Sequence, residues 1–185
     1  LPRFALDALL AHHYLHRRPP VSHCFTVATD EIDVAAVLTF GTPPSRHLQM
    51  SACPSDPSLV VELNRVWVHD AMPKNTGSHL LSICLKRLPP RIVVSYADTA
   101  AGHAGYQYRA ANFFYAGLTD ADRKTPRFDY VPRNGKHSRD AFRSGEFDRV
   151  RRLPKHRYWT VTGDRRERRE LTKLAGWPKL DWKTA

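Results

Sequence analysis

The sequence predicts an α/β (α+β) fold in a single domain of 185 residues. Three observations lead there. Helix-period and strand-period segments interleave along the chain. The stretch RIVVSYADTAAGHAGYQYRAANFFYAG, residues 91–117, reads as a buried strand, a polar turn and a helix. Charge is also unevenly placed: residues 1–122 carry 10 Lys and Arg against 10 Asp and Glu, whereas residues 123–185 carry 19 against 8.

The elements follow in order. Residues 4–18 have a helical pattern that stops at Pro19-Pro20, since proline cannot continue a helix. Residues 23–29 and 34–40 read as two strands around an acidic turn, a hairpin. Residues 41–58 hold four prolines and read as a loop. LVVELNRVWV, residues 59–68, is a long strand. The turn HDAMPKNTG leads to a helix through His79, Leu81, Cys84 and Leu88, with Asn75 or Thr76 as its cap and Pro89-Pro90 as its stop. Next comes a strand at Ile92, Val93 and Val94, then a turn carrying Ser95, Tyr96, Asp98 and Thr99. The helix after it carries Tyr106, Tyr108, Asn112, Phe113 and Tyr115 and closes at Gly117. Residues 127–131 and 157–162 read as strands. The polar stretch 132–155 between them is a mobile loop or an insertion facing a partner. Residues 165–170 read as a helix with an Arg166–Glu170 pair.

Composition narrows the function. No apolar run approaches the roughly 20 residues needed to cross a bilayer, so no membrane association is expected. Three cysteines without a CxxC pair fit a reducing, cytoplasmic compartment, with Cys84 in the core. The basic last third, residues 132–185 above all, points to a polyanion, and nucleic acid fits better than a membrane surface. The plainer reading is a solvated basic face. A strand end that delivers hydroxyls and a carboxylate to the mouth of a helix is a common place for chemistry in α/β enzymes.

This order of elements resembles the N-acetyltransferase (GNAT) superfamily. The resemblance implies a mixed, mostly antiparallel central sheet flanked by helices. It also implies a long strand that parts from its neighbour to admit acyl-CoA. On that pattern Val66, Trp67 and Val68 line the donor. Lys74, Asn75, Thr76, Gly77 and Ser78 form the turn that holds its pyrophosphate, where a helix N-terminus offers free amides. His79 stands where the family has Gly or Ala.

ELNRVWVHDAMPKN, SYADTAAGHAGYQYRAANFFYAG, the pair His13-Tyr14 and LPKHRYWTVTGDRRERREL followed by GWPKL resemble the Mom proteins of bacteriophages, from about residue 10 to 180. The resemblance implies phage-type DNA modification. The N6 amine of adenine in duplex DNA becomes carbamoylmethylated, with acetyl-CoA as acyl source, and the DNA is protected from restriction. It implies a host bacterial cytoplasm as the location.

Within that frame the site residues take the following roles, several with an alternative. Asp98 accepts an N6 proton or holds the amine; otherwise it caps a turn. Ser95 orients the thioester or bonds a neighbouring strand. Tyr108 is the preferred general acid, and Tyr106 stacks on a base. Asn112, four residues beyond Tyr108, meets the cofactor. His13 and Tyr14 sandwich an extruded adenine, or one is core and one surface. Arg65 binds a donor phosphate, a DNA phosphate or Glu62. Arg149, Arg151, Arg152, Lys155, Arg157, Arg165 and Arg166 hold the duplex without reading much sequence. The metal stays unknown: iron is carried as redox help, with His13, His103 and Asp98 as donors, although no spacing matches a metal motif. The oligomeric state, a homodimer included, stays open. Two rivals remain. One is a GNAT acyltransferase acting on a small amine or a protein lysine. The other is a non-enzymatic DNA-binding module on a decayed acyltransferase scaffold.

Overall fold

The computed structural model describes residues 1–121, 123–133, 143 and 145–184. A six-stranded sheet forms the centre. Its strands are β1 (His23–Val27), β2 (Ala36–Gly41), β3 (Val60–Val68), β4 (Ile92–Asp98), β5 (Phe114–Leu118) and β8 (Lys155–Val161), in the spatial order β1-β2-β3-β4-β8-β5. Every neighbouring pair is antiparallel except β3 with β4. A separate antiparallel ribbon joins β6 (Phe128–Pro132) to β7 (Phe147–Arg151). Among the described residues the helices include α1 (Arg3–His12), α2 (Arg46–Ala52), α3 (Thr76–Arg87), α4 (Tyr106–Ala110) and α5 (Arg165–Leu174). This is the mixed, mostly antiparallel sheet flanked by helices that the resemblance implies.

Alternation along the strands builds a core on each side of the sheet. On one face Leu38, Phe40, Val61, Leu63 and Val93 pack with Leu81 and Cys84 of α3 and Tyr108 of α4. On the other, Val60, Ile92, Val94 and Trp159 pack with Leu171 of α5 and Trp177. Ala5 and Leu9 of α1 cover Val37 on β2.

Two irregularities set up the site. The β2–β3 register jumps from Thr39↔Arg65 to Phe40↔Leu63, so Asn64 has no opposite residue and forms a β-bulge. Its side chain accepts the Thr39 hydroxyl at 2.6 Å and donates to the Pro20 carbonyl at 2.7 Å. The second irregularity lies on the other edge of β3. Pairing with β4 runs through Val60↔Ile92, Val61↔Val93 and Glu62↔Val94, and then stops. Leu63–Val68 therefore diverges from the end of β4 while still bound to β2.

Several expected elements are redrawn. The first helix ends at His12 rather than residue 18; His13 is already extended and His16 is left-handed, with φ 43°. The proline-rich stretch 41–58 contains α2 and a 3-10 turn, Pro57–Leu59. Ser95 and Tyr96 lie inside β4, which continues to Asp98. The expected long helix after it is only α4, five residues, and Phe114 starts β5. Gly117 lies within β5 at φ 83°, by the register shift between Tyr115 and Leu118. The short helix needs glycine at its start: Gly105 sits at φ 75° against the Tyr158 ring, where a side chain has neither the conformation nor the space. Part of the polar stretch 132–155 is β7; residues 134–142 and 144 lie outside the described residues.

Candidate functional site

The parting of β3 from β4 gathers side chains that are far apart in the chain. At its closed end the buried Ser95 hydroxyl donates to the Leu63 carbonyl at 2.9 Å. Ser95 is thus the strand hydroxyl bonded to a neighbouring backbone group. Tyr108 meets it from α4: its hydroxyl lies within reach of Ser95 and 3.4 Å from the Tyr96 carbonyl. Burial raises the Tyr108 pKa, so the phenol is held protonated, as a proton donor requires.

Asp98 ends β4 and is 9% exposed. Its carboxylate accepts from the Ala100 amide at 3.0 Å and pairs with Lys155 at 2.6 Å, directly across the β4–β8 ladder. The carboxylate thus caps the next turn, and it lies near Tyr14.

His13 and Tyr14 arrive from the end of α1. The rings stack on each other, centroids 4.6 Å apart, and Tyr14 meets His103 edge-on at 5.1 Å. A base cannot lie between rings already in contact. The sandwich expected from the sequence is therefore not formed, and only the open side of Tyr14, which is 42% exposed, offers a stacking face. His13 is buried and its Nδ1 accepts from the Leu15 amide at 3.2 Å. Burial lowers its pKa to about 4, with Arg65, His103 and His16 adding to the effect. The ring is neutral at pH 7. Burial pushes Tyr14 up to about 12, reinforced by Asp98 and Tyr108.

Arg65 follows the bulge. It is 8% exposed, and it donates to the Asn64 carbonyl at 2.6 Å and the Arg17 carbonyl at 3.4 Å. Its Nε has no partner, and among the described residues no carboxylate comes within 4.0 Å of it. Burial lowers its pKa, and Arg17 lowers it further. The expected Arg65–Glu62 pair is not made. A buried guanidinium with neither counter-charge nor full hydrogen bonding is costly, and its place at the cleft suits an anionic or carbonyl-bearing ligand.

The residues expected to line an acyl donor lie along the opened strand. Val66 and Val68 pack on the α3 side, whereas Trp67 turns to the other face and stacks on His12 at 5.1 Å. Asn75 begins α3 in a left-handed conformation, φ 69°, and makes no side-chain cap. Neither does Thr76: its hydroxyl donates to the Pro73 carbonyl at 2.6 Å, and that of Ser78 to the Asn75 carbonyl at 3.0 Å. Among the described residues the amides of Gly77 and Ser78 find no acceptor. The turn thus presents free donors at a helix start, where an anion is favoured. Lys74 and His79 are exposed.

Other expected residues lie elsewhere. Tyr106 is 74% exposed and stacks on the Arg109 guanidinium, 4.3 Å from its ring, which also lies over Trp182. Asn112, left-handed at φ 61°, lies beyond the end of α4 and shares no helix face with Tyr108. It lines a shallow groove of about 300 Å³ along the β5 edge, with Arg109, Phe114 and Trp182.

The basic residues divide. Lys155 is turned to Asp98, and Arg157 lies 5.5 Å from the Trp177 ring. Arg152 pairs with Asp129, Arg166 pairs with Glu170 at 3.1 Å, and Arg149 lies over Phe128 at 3.7 Å. Arg149 and Arg151 on β7 and Arg165 on α5 are exposed. An iron site does not fit the donors present. His13, His103 and Asp98 all border Tyr14, but among the described residues no three His, Cys, Asp or Glu side chains gather to hold a metal ion.

Glu62 is the residue whose role the sequence understated. It occupies the last β3–β4 pair, and burial pushes its pKa up to about 7, against the pull of Arg65 and Lys155. A carboxylate inside a strand of nearly continuous apolar residues was the available signal.

Comparison with known proteins gives three findings. The model of the Mom protein family matches residues 2–178. Over 62 residues the chain is 45% identical to the methylcarbamoylase Mom of Escherichia phage Mu; the match takes in 31% of this chain and about a quarter, 26%, of that protein. A histone acetyltransferase-related acetyltransferase from Corynebacterium glutamicum superposes with a TM-score of 0.40 at 16% identity, over 86% of this chain and 74% of that one. So loose a likeness carries no argument. Because the family match runs nearly from end to end, the chain belongs to the Mom protein family.

Proposed function

We propose that this chain converts the N6 amine of adenine in duplex DNA to its carbamoylmethyl form, using an acyl-CoA bound where β3 and β4 part and a separate amine that supplies the amide nitrogen, and so protects DNA from restriction. The observation that carries the reading is the parted strand pair with Asp98, Arg65, His13, Tyr14 and Tyr108 assembled beside it. Family membership and the methylcarbamoylase relative support the chemistry.

Adenine N6 is a poor nucleophile, because its lone pair is delocalised into the ring. Catalysis then rests on positioning and on charge stabilisation. Asp98, held by Lys155 and the Ala100 amide, accepts a hydrogen bond from the amine and fixes its direction. An adenine turned out of the duplex stacks on the open face of Tyr14, which His13 and His103 hold in place. The Arg65 guanidinium faces the developing negative charge. Tyr108, kept protonated by burial, supplies a proton to the departing group.

The residues present fit an acyl-CoA. The free amides of Gly77 and Ser78 suit its pyrophosphate, and the open edge at Val66, Trp67 and Val68 suits its pantetheine. When bound, such a donor supplies an activated acyl carbon. Arg149, Arg151 and Arg165 contact DNA phosphates.

The test is nucleoside mass spectrometry of plasmid DNA from cells expressing the protein. A deoxyadenosine species heavier by a carbamoylmethyl group is expected. An unaltered nucleoside profile from soluble, folded protein contradicts the reading.

A further inference from the structure

The split holds a second carboxylate, to which the reaction above assigns no part. Asp98 is engaged: it pairs with Lys155 and caps the turn through the Ala100 amide. Glu62 is not. Among the described residues its carboxylate makes no hydrogen bond and no ion pair. It stands on the last residue pair before the strands diverge, beside the Asn64 bulge. The charged and titratable groups near it on its own face of the sheet are Arg65 on its own strand, Tyr96 on β4 and Lys155 on β8, and Tyr108 on α4 lies on the other face, within electrostatic reach.

Of the other titratable groups, His103 is exposed against the Tyr14 ring, and those within the split are poorly suited to accept a proton. Burial keeps the Tyr96, Tyr108 and Tyr14 hydroxyls protonated. The His13 Nδ1 is occupied by the Leu15 amide, and the ring resists protonation. Arg65 and Lys155 are cations that stabilise a carboxylate without taking its place.

We propose that Glu62 is the group that takes the proton from the adenine amine as its new bond forms. The inference rests on the reading of the site given above. In an acyl-thioester step the N6–H bond breaks, the proton moves to a Glu62 oxygen, and the nitrogen lone pair forms the N–C bond. The C–S bond breaks, and the thiolate leaves and is protonated by Tyr108; the immediate product is the N6-acyl adenine, and the carbamoylmethyl group is completed afterwards by an amine and a two-electron oxidant, in steps that assign no part to Glu62. Glu62 then returns its proton, by way of solvent, to the tyrosinate, so both groups are restored. Asp98 holds the amine throughout and keeps its charge for Lys155. A carboxyl pushed up to about 7 is matched to this task near neutral pH, because a base works best when its pKa lies near the working pH.

The experiment compares the wild-type chain with Glu62→Gln and Glu62→Asp, each checked for folding by circular dichroism. Purified protein acts on plasmid DNA in a bacterial extract supplemented with acetyl-CoA and buffered from pH 5.5 to 8.5. The initial rate of deoxyadenosine modification is read by mass spectrometry. Wild-type rates are expected to rise through one ionisation near neutrality. Glu62→Gln is expected to fall about 100-fold and to lose that inflection, the size a general base contributes. Glu62→Asp is expected to retain the inflection at a reduced rate. A folded Glu62→Gln within about tenfold of wild type, or one that keeps the wild-type inflection, overturns the assignment and leaves the reading of the site standing. A folded wild-type protein that alters no adenine sinks that reading, and this assignment with it.

Discussion

The Ser95 hydroxyl donates to the Leu63 carbonyl at 2.9 Å, across the point where β3 and β4 stop pairing. A side chain thus takes over from the backbone ladder and closes the inner end of the split. Replacing Ser95 by Ala leaves a buried carbonyl unsatisfied. Stability is expected to fall by about 1–2 kcal/mol, seen as a lower urea midpoint at unchanged slope. An unchanged midpoint removes the serine from this role.

Arg65 gives the opposite balance. It is buried, has no carboxylate within 4.0 Å among the described residues and keeps an orphan Nε. Arg65→Met is expected to leave the thermal midpoint unchanged or to raise it, because an unpaired buried charge is replaced by an apolar side chain of similar length. DNA modification is expected to fall at least about tenfold, as stability and function draw on different features of the residue. A destabilised variant with full activity contradicts this.

Two groups at the site oppose each other in pH. The His13 pKa is lowered from 6.5 to about 4, so the unfolded chain binds the proton more readily. The contribution of His13 to stability is present above pH 6.5 and is lost as the pH falls toward 4. The Glu62 pKa is raised from 4.5 to about 7, so its contribution is present below pH 4.5 and is lost as the pH rises toward 7. Each slope is at most about 1.4 kcal/mol per pH unit. Glu62→Gln is therefore expected to make stability climb more steeply between pH 4.5 and 6.5, and His13→Gln to flatten or reverse the climb. Urea midpoints across that range decide the signs, and parallel curves for both variants contradict the assignment.

Gly77 tests the amide turn. A methyl group there meets only the end of the flexible Gln107 side chain at 3.3 Å and Val68 at 3.6 Å, so Gly77→Ala is expected to fold normally. Placed beside the free amides, the methyl is expected to weaken acetyl-CoA binding about tenfold by calorimetry, or about 1.4 kcal/mol. Wild-type affinity in Gly77→Ala contradicts a role for this turn.

The exposed arginines of β7 test the proposed DNA contact. Arg149→Ala with Arg151→Ala is expected to reduce the slope of log K against log salt by about 0.9 for each phosphate no longer neutralised, or about 1.8 for the pair. Fluorescence anisotropy of a labelled duplex across a salt series measures it. An unchanged slope places the duplex elsewhere.

Much of this arrangement was legible in the sequence, and the limits are physical. The long strand and the α3 helix stood out because their apolar runs are bounded by turns and prolines. Motif resemblance marked His13-Tyr14 and a strand end marked Asp98, whereas Arg65 was read only as a contact to a donor phosphate, a DNA phosphate or Glu62. Periodicity failed where tertiary contacts override it. Ser95 and Tyr96 read as a turn because they are polar, yet β8 pairs with both. Phe113 and Tyr115 read as helix, yet Phe114 and Tyr115 pair with β8 as a strand. Helix α2 was hidden by the prolines around it. Glu62 looked like a partner for Arg65, and only the folded arrangement shows the two side chains failing to pair.

Hydrogen exchange of the intact protein, with and without saturating acetyl-CoA, tests the central claim most directly. New protection is expected along Leu63–Val68 and at the Gly77 and Ser78 amides, where β3 has left β4 and α3 begins. Protection confined to the groove along β5, at Arg109–Tyr115, or absent altogether, contradicts it.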